Sequence, residues 1–196
     1  MKYVLYKVLV VVLKPIFLFI YKPSYVNVDN IPKEGAIILA GNHTNLIDAA
    51  LMLGGPKRVV HMMAKKELFN TKLKSKFFRS MGCISVDRSI HDENAKSEAI
   101  SVLENEEVLG IFPEGTINKT NELLLPFKYG AVSFAKKTNA YIVPFAITGK
   151  YKLFKKSIKI TYGKPYKVNN ELDIENKKLM EKVKKLMIEG DNNEKK

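Results

Sequence analysis

The feature that most constrains the fold is a regular alternation between short apolar runs and longer helical patterns. The apolar runs are rich in β-branched residues and are predicted to be strands at Ala36 to Ala40, Val59 to Met63, Cys83 to Val86, Val108 to Phe112, Tyr141 to Thr148 and Ile158 to Tyr162. Helices are predicted at Ile47 to Leu53, Lys66 to Ser80, Glu93 to Glu104 and Tyr129 to Lys137. Because the strands are almost entirely apolar, the pattern predicts an α/β domain whose central, mostly parallel sheet is flanked by helices.

The length of 196 residues favours one domain with a substantial core. We predict a membrane-associating segment over residues 1–21, the domain itself over 22–190 and a frayed tail over 191–196. The C-terminal stretch places Leu179, Val183, Leu186 and Met187 on one helical face, which predicts an amphipathic helix ending near Gly190.

The chain is strongly basic, with 33 Lys and Arg residues against 20 Asp and Glu and a formal charge of +13. Such a charge attracts polyanions, which include nucleic acid, anionic bilayers and phosphorylated substrates. Composition does not choose among these three. The single cysteine, Cys83, excludes an intramolecular disulfide.

The first 21 residues are apolar except for three lysines, and Pro15 is expected to interrupt the helix that they would otherwise form. No uninterrupted apolar run in this segment reaches the ~18 residues that predict a membrane-spanning helix. We expect a helix in the membrane interface whose lysines reach the headgroups, with a core helix or a tilted span as alternatives. The protein is therefore expected on the cytoplasmic side of the cell membrane, as a peripheral or monotopic protein.

His43 follows the first predicted strand, and Asp48 comes five residues later at the start of a predicted helix. Loops at the carboxyl ends of strands are where α/β proteins build their sites. The carboxylate of Asp48 can accept a hydrogen bond from the imidazole and stabilise its protonated form. The sequence has no serine in a nucleophile elbow, and Cys83 lies in an apolar setting. The pair is therefore either structural or a general base for a nucleophile that the substrate supplies.

A second candidate loop follows Val108 to Phe112, where the chain reads Pro113, Glu114, Gly115 and Thr116. A carboxylate, a flexible glycine and a hydroxyl at the end of a strand can form part of a site. A plain Pro-Gly turn is the alternative. His61 and His91 lack partners at metal-ligand spacing, so we predict no metal.

Four blocks of this sequence resemble the motifs of the glycerolipid acyltransferase family, which includes the 1-acylglycerol-3-phosphate acyltransferases. In order they are Asn42-His43 with Asp48, Gly82 to Arg88, Phe112 to Thr116, and Ile142 to Phe145. The resemblance implies that His43 is the general base and that Asp48 orients it. It also implies acceptor binding by Arg88, Glu114, Gly115 and Thr116.

One position departs from the family pattern, because Ile117 stands where an arginine usually follows the third block. Lys65, Lys119 and Lys128 are the candidates to replace that phosphate-binding cation. A lysine is a point charge and does not grip two oxygens as an arginine does. The sequence therefore constrains the identity of the acceptor less than it constrains the acyl-transfer reaction.

The resemblance implies transfer of an acyl group from acyl-CoA or acyl carrier protein to the sn-2 hydroxyl of 1-acylglycerol 3-phosphate. It implies no cofactor beyond that acyl donor. The alternatives are another acceptor, such as glycerol 3-phosphate or a different lysolipid, and a non-catalytic lipid-binding protein on the membrane surface. A nucleic-acid-binding domain is a further alternative, because aromatic residues alternate with lysines near the C-terminus, as they do in surfaces that stack on bases. These aromatic residues are Tyr151, Phe154, Tyr162 and Tyr166. We expect them to be core residues, and we therefore expect no nucleic-acid partner.

Overall fold

The central sheet contains seven strands in the order β1-β7-β6-β2-β5-β3-β4. The structure is a computed structural model and describes residues 4–192. Neighbouring strands are parallel except for the antiparallel pair β6 and β7. The strands are β1 Ser24–Val26, β2 Ile37–Gly41, β3 Val60–Lys65, β4 Ile84–Val86, β5 Val108–Ile111, β6 Tyr141–Gly149 and β7 Ile158–Tyr162. The predicted α/β fold with a mostly parallel sheet is confirmed.

Helices cover both faces of the sheet. They are α1 Val4–Tyr21, α2 Asp48–Leu53, α3 Lys72–Ser80, α4 Glu93–Glu104, α5 Gly130–Thr138 and α6 Leu172–Asn192. Successive strand residues point to opposite faces, so Ile38 packs with α4, α5 and α6, whereas Ile37 and Leu39 pack with α2. This double burial explains why the central strands β2 and β5 carry no polar side chain.

One predicted helix is divided in the structure and one strand was missed, whereas the ends of other elements shift by one or two residues. The predicted helix Lys66 to Ser80 is divided into a short 3-10 helix, Lys66–Phe69, and α3. The division occurs because Thr71 is extended and caps α3, with its side chain accepting a hydrogen bond from the Lys74 amide. Strand β1 was not predicted, since three residues with little apolar character carry no periodic signal.

Pro15 does not interrupt α1, so the predicted break was wrong. Proline removes one backbone hydrogen bond, but the packing of Phe17 and Tyr21 against the sheet holds the helix together. Lys14 does not reach outward as expected; its Nζ donates to the carbonyl of Gly54 over 2.8 Å. Within residues 4–192, no helix is both long enough and apolar enough to cross a bilayer.

The C-terminal helix is longer than predicted. It continues past Gly190 to Asn192, which includes two residues of the predicted frayed tail. Residues 193–196 of that tail, like residues 1–3 of the predicted N-terminal segment, lie outside the described residues. Leu179 and Val183 are fully buried against the sheet, as the amphipathic pattern predicts.

Candidate active site

The loop that carries His43 begins where β2 ends, at the carboxyl edge of the sheet. The buried side chain of Asn42 holds this loop to the neighbouring strand. Its amide donates to the carbonyl of Ile147 over 2.9 Å, and its carbonyl accepts from the Ile147 amide over 2.7 Å. Asn42 therefore fixes the position from which the His43 backbone departs.

His43 and Asp48 form a close pair. The imidazole Nδ1 lies 3.0 Å from Oδ2 of Asp48, whose side chain is fully buried, while the His43 side chain keeps 14% of its surface exposed. The same Oδ2 accepts from the backbone amides of Thr44 over 2.6 Å and Asn45 over 2.7 Å. The predicted hydrogen bond is therefore present, and it leaves Nε2 as the ring nitrogen available to a substrate.

Glu114 lies behind the His43 loop and joins it to a second loop. One carboxylate oxygen accepts from the His43 amide over 2.7 Å, and the other accepts from the Leu125 amide over 2.8 Å. Burial raises the pKa of Glu114 above its usual value. Both oxygens are occupied and the side chain lines neither cavity described below, so Glu114 supports the two loops, and its contact with the acceptor stays a prediction.

A cavity of about 350 Å³ opens on one side of His43. Its lining includes the predicted residues Arg88, Gly115 and Lys128. Among the described residues, neither the Arg88 side chain nor the Lys128 side chain has an ion-pair or hydrogen-bond partner, so both charges are available to an anion. Gly115 has a positive φ of 70°, and a Cβ there would meet Lys128 Cε at 2.9 Å.

The turn that presents Arg88 is held by the carboxylate before it. Asp87 accepts from Nζ of Lys66 over 2.5 Å and from the backbone amide of Ser89 over 3.0 Å. These hydrogen bonds lower the pKa of Asp87 to about 2. Asp87 is therefore ionised at neutral pH, and its partners are groups other than Arg88.

A larger and mainly apolar cavity, of about 700 Å³, lies on the other side of His43. It is enclosed by α1, α2, β3 and α3, through side chains that include Leu13, Phe17, Leu53, Met62, Phe78 and Cys83. The predicted residues Lys65 and Thr116 line it, and so do Ile117 and Lys119. The structure thus separates the predicted binding residues between two cavities: Lys65 and Thr116 lie in the large one, and Lys128 lies in the small one.

The two cavities meet at His43. Four residues line both of them, namely His43, Met63, Arg88 and Phe112. The Phe112 ring stacks on the imidazole, with 3.9 Å between the ring centroids. Both cavities contain basic side chains, and the larger one is mainly apolar. A base at their junction can act on a molecule that has both an acyl chain and an anionic group.

Two contributors to the site were missed from the sequence. The hydroxyl of Tyr151 donates to Oδ1 of Asp48 over 2.7 Å, although 103 residues separate the two. Helix α1 supplies one wall of the large cavity. Neither had a local signal, because each contact depends on how distant elements pack.

The remaining chemically active side chains are held elsewhere. His61 is buried, with Nδ1 3.0 Å from the Gly82 carbonyl oxygen and Nε2 3.0 Å from a carboxylate oxygen of Glu107. Burial raises the pKa of Cys83 to about 11, as its apolar setting led us to expect. In residues 4–192, no three His, Cys, Asp or Glu side chains cluster as a metal site would require.

Comparisons with known proteins agree with this architecture. Residues 22–148 match the family model described as Acyltransferase. The 1-acyl-sn-glycerol-3-phosphate acyltransferase of Bacillus subtilis is 35% identical over 144 residues, which are 71% of each chain. The enzyme of that name from Borreliella burgdorferi is 31% identical over 137 residues, which are 69% of this chain and 54% of that relative.

A solved structure shows the same fold. The crystal structure of the 1-acyl-sn-glycerophosphate acyltransferase from Thermotoga maritima superimposes with a TM-score of 0.68 at 24% identity, and the match covers 83% of this chain and 69% of that one. Because the family model spans well over half of the chain and the Bacillus relative is similar along most of its length, the assignment rests on sequence as well as on fold. The chain belongs to the glycerolipid acyltransferase family.

Proposed function

We propose that the protein transfers a fatty acyl group from an acyl thioester to the sn-2 hydroxyl of 1-acylglycerol 3-phosphate, giving phosphatidic acid for phospholipid biosynthesis. The observation that carries the proposal is the position of His43 at the junction of the large, mainly apolar cavity and the small cavity that contains Arg88 and Lys128. The names of the Bacillus and Borreliella relatives support the same acceptor.

The chemistry starts at His43. Its Nε2 takes the proton from the acceptor hydroxyl, and the hydroxyl oxygen attacks the thioester carbonyl carbon. The tetrahedral intermediate then collapses, the C–S bond breaks, and the imidazolium returns the proton to the leaving thiolate. Asp48 stabilises the imidazolium throughout, as a triad carboxylate does. No acyl-enzyme forms, since the substrate supplies the nucleophile.

The small cavity holds the acceptor phosphate in this proposal. Arg88 offers a planar fork of donors to the phosphate oxygens, and Lys128 adds a second charge. Lys128 thereby supplies the positive charge that the family's arginine would supply at position 117, although Lys128 lines the small cavity and Ile117 the large one. Because Ile117 makes that part of the large cavity apolar, a less charged lysolipid or glycerol 3-phosphate is the second candidate acceptor.

The large cavity holds the acyl chain of the donor. Acyl-CoA and acyl carrier protein carry the same activated thioester, so the reaction needs no further cofactor and no metal. Lys65 and Lys119 on the cavity lining can meet the phosphate of either donor. Measuring transfer from both thioesters to one acceptor distinguishes the two donors.

We also propose that α1 holds the protein on the cytoplasmic face of an anionic membrane, where the lysolipid acceptor resides. Its exposed apolar side chains include Val8, Val11, Ile16 and Phe19, of which Val11 is 72% exposed. Exposed apolar groups beside lysine-rich surfaces are typical of interfacial attachment. Helix α1 also lines the large cavity, so its attachment to the membrane would bring that cavity close to the lipids.

The catalytic proposal is tested with labelled acyl thioester and an acceptor panel, using wild type and His43→Ala. We expect lysophosphatidic acid to be acylated by wild type and the rate to fall by a factor of ~10²–10⁴ in the variant. The melting temperature of each protein checks that it is folded. Equal rates in the two proteins would remove His43 from the mechanism.

Attachment is tested by sedimentation with anionic liposomes. Val11→Glu should reduce binding, because it places a charge on the surface proposed to enter the membrane. Ile174→Glu is the matched control, since Ile174 is exposed on α6, away from α1. Equal losses in the two variants would show that α1 has no special part in attachment.

A further inference from the structure

Tyr151 occupies the side of Asp48 that faces away from His43. Its hydroxyl donates to Oδ1 over 2.7 Å, whereas His43 and two backbone amides share Oδ2. Each oxygen of this fully buried carboxylate therefore has its own set of donors. Without Tyr151, Oδ1 would lose its hydroxyl partner in a site with no access to water.

The loop that carries Tyr151 is held at its base and at its tip. At the base, the Lys150 amide donates to the carbonyl of Ser157 over 2.7 Å, and the Ser157 hydroxyl donates back to the Lys150 carbonyl over 2.8 Å. At the tip, the Phe154 amide donates to the carbonyl of Ile20 over 2.5 Å. The connection between β6 and β7 is thus attached to the C-terminal end of α1.

The Tyr151 ring also contacts that helix. It meets Tyr21 edge to face, with 5.6 Å between centroids and an interplanar angle of 86°, and Tyr21 in turn packs on Phe17. Burial and the nearby Asp48 carboxylate raise the pKa of Tyr151 far above its usual value. The phenol therefore keeps its proton and remains a donor across the whole working range of pH.

We infer that Tyr151 is a positioning residue that holds the Asp48 carboxylate in the orientation His43 requires, and that Tyr21 connects this support to α1. The inference deepens the proposed function and rests on it for its kinetic part. Tyr151 lines neither cavity, so its effect on the reaction passes through Asp48. Helix α1 thus lines the large cavity and also contacts Tyr151, which supports the His43–Asp48 pair.

The kinetic test is Tyr151→Phe, which removes one hydroxyl and retains the ring. We expect kcat to fall about tenfold, which corresponds to ~1.4 kcal/mol. KM for both substrates should stay the same. Tyr25→Phe is the matched control, because within residues 4–192 the buried Tyr25 hydroxyl has no hydrogen-bond partner. We expect this control to keep the wild-type kcat.

A spectroscopic test needs no activity. The chain has 3 histidines, so the His43 Nδ1–H resonance can be assigned and followed by NMR in substrate-free protein. Tyr151→Phe should move this resonance or speed its exchange with water, Tyr21→Leu should do so to a smaller extent, and Tyr25→Phe should leave it unchanged. These changes would support positioning even if wild type failed to acylate any acceptor, which would overturn only the proposed function. An unmoved resonance in Tyr151→Phe would overturn the positioning role, whatever happens to kcat.

Discussion

The Phe112 ring lies almost parallel to the His43 imidazole, at an interplanar angle of 11° with centroids 3.9 Å apart. Phe112 in turn packs edge to face on Phe145 of β6, at 6.0 Å. The imidazole is therefore held by the Asp48 hydrogen bond at one edge and by the stack on one face. A base confined in this way loses little entropy when it meets the hydroxyl that it deprotonates.

Phe112→Leu should lower kcat by roughly fivefold, because the imidazole gains freedom to rotate when the stack is lost. The replacement leaves an apolar side chain, so the lipid cavities should keep their character. Steady-state kinetics with lysophosphatidic acid measure the effect, and the melting temperature shows whether packing has suffered. A kcat equal to that of wild type would mean that Asp48 alone orients His43.

Arg88→Ala should raise KM for a phosphorylated acceptor, with a cost of ~1.5–3 kcal/mol in kcat/KM, because a charge-assisted bond to the phosphate is lost. Arg88→Lys should recover part of this loss, since the charge remains while the fork geometry does not. Arg79→Ala is the control: Arg79 is exposed on α3, paired with Glu98, and lines neither lipid cavity. An unchanged KM together with equal use of a neutral acceptor would contradict phosphate recognition by Arg88.

Ile117→Arg and Lys128→Ala test whether the two cationic positions are exchangeable. We expect Lys128→Ala to weaken use of lysophosphatidic acid, and Ile117→Arg in the same chain to restore part of it. The restoration depends on the new guanidinium reaching the phosphate from the large cavity, which Ile117 lines beside Arg88. If the double variant is no better than Lys128→Ala, the two positions do not serve one phosphate.

Glu114→Gln should reduce both stability and kcat. A glutamine side chain has one carbonyl oxygen, so one of the two backbone amides would face an NH₂ group instead of an acceptor. An unsatisfied buried donor costs about 1–3 kcal/mol in the free energy of unfolding. Glu122→Gln is the exposed control, and denaturant unfolding provides the measurement. A stability equal to that of wild type would show that the two loops do not depend on Glu114.

Cys83 should react slowly with iodoacetamide. Because the thiolate is the reactive form, a pKa of about 11 instead of 9.0 lowers the reactive fraction. At pH 8 this fraction falls about a hundredfold. The rate should keep rising through pH 10, whereas an ordinary thiol levels off near its lower pKa. Mass spectrometry follows the reaction, with denatured protein as the control. A bound acyl chain should slow it further, since Cys83 lines the large cavity.

Local sequence patterns identified the strands and the His43–Asp48 pair because both depend on neighbours along the chain. Strand β2 is apolar at every position since both of its faces are covered, and this signal is visible in the sequence. His43 and Asp48 are five residues apart, so the loop alone brings them together. Local sequence also led us to predict a helix break at Pro15, and this prediction was wrong, because tertiary packing offsets the loss of the hydrogen bond that proline removes.

The α/β class, the His43–Asp48 pair and the family could all be predicted from the order of residues along the chain. The folded structure was needed to find that Glu114 supports the loops, that Lys65 and Lys128 lie in different cavities, and that Tyr151 reaches Asp48. These relations join residues far apart in the chain, and the distances between them depend on how the strands, the loops that follow them and the helices pack together. Side-chain periodicity reports which face of an element is buried, and it does not report which distant residue is met there.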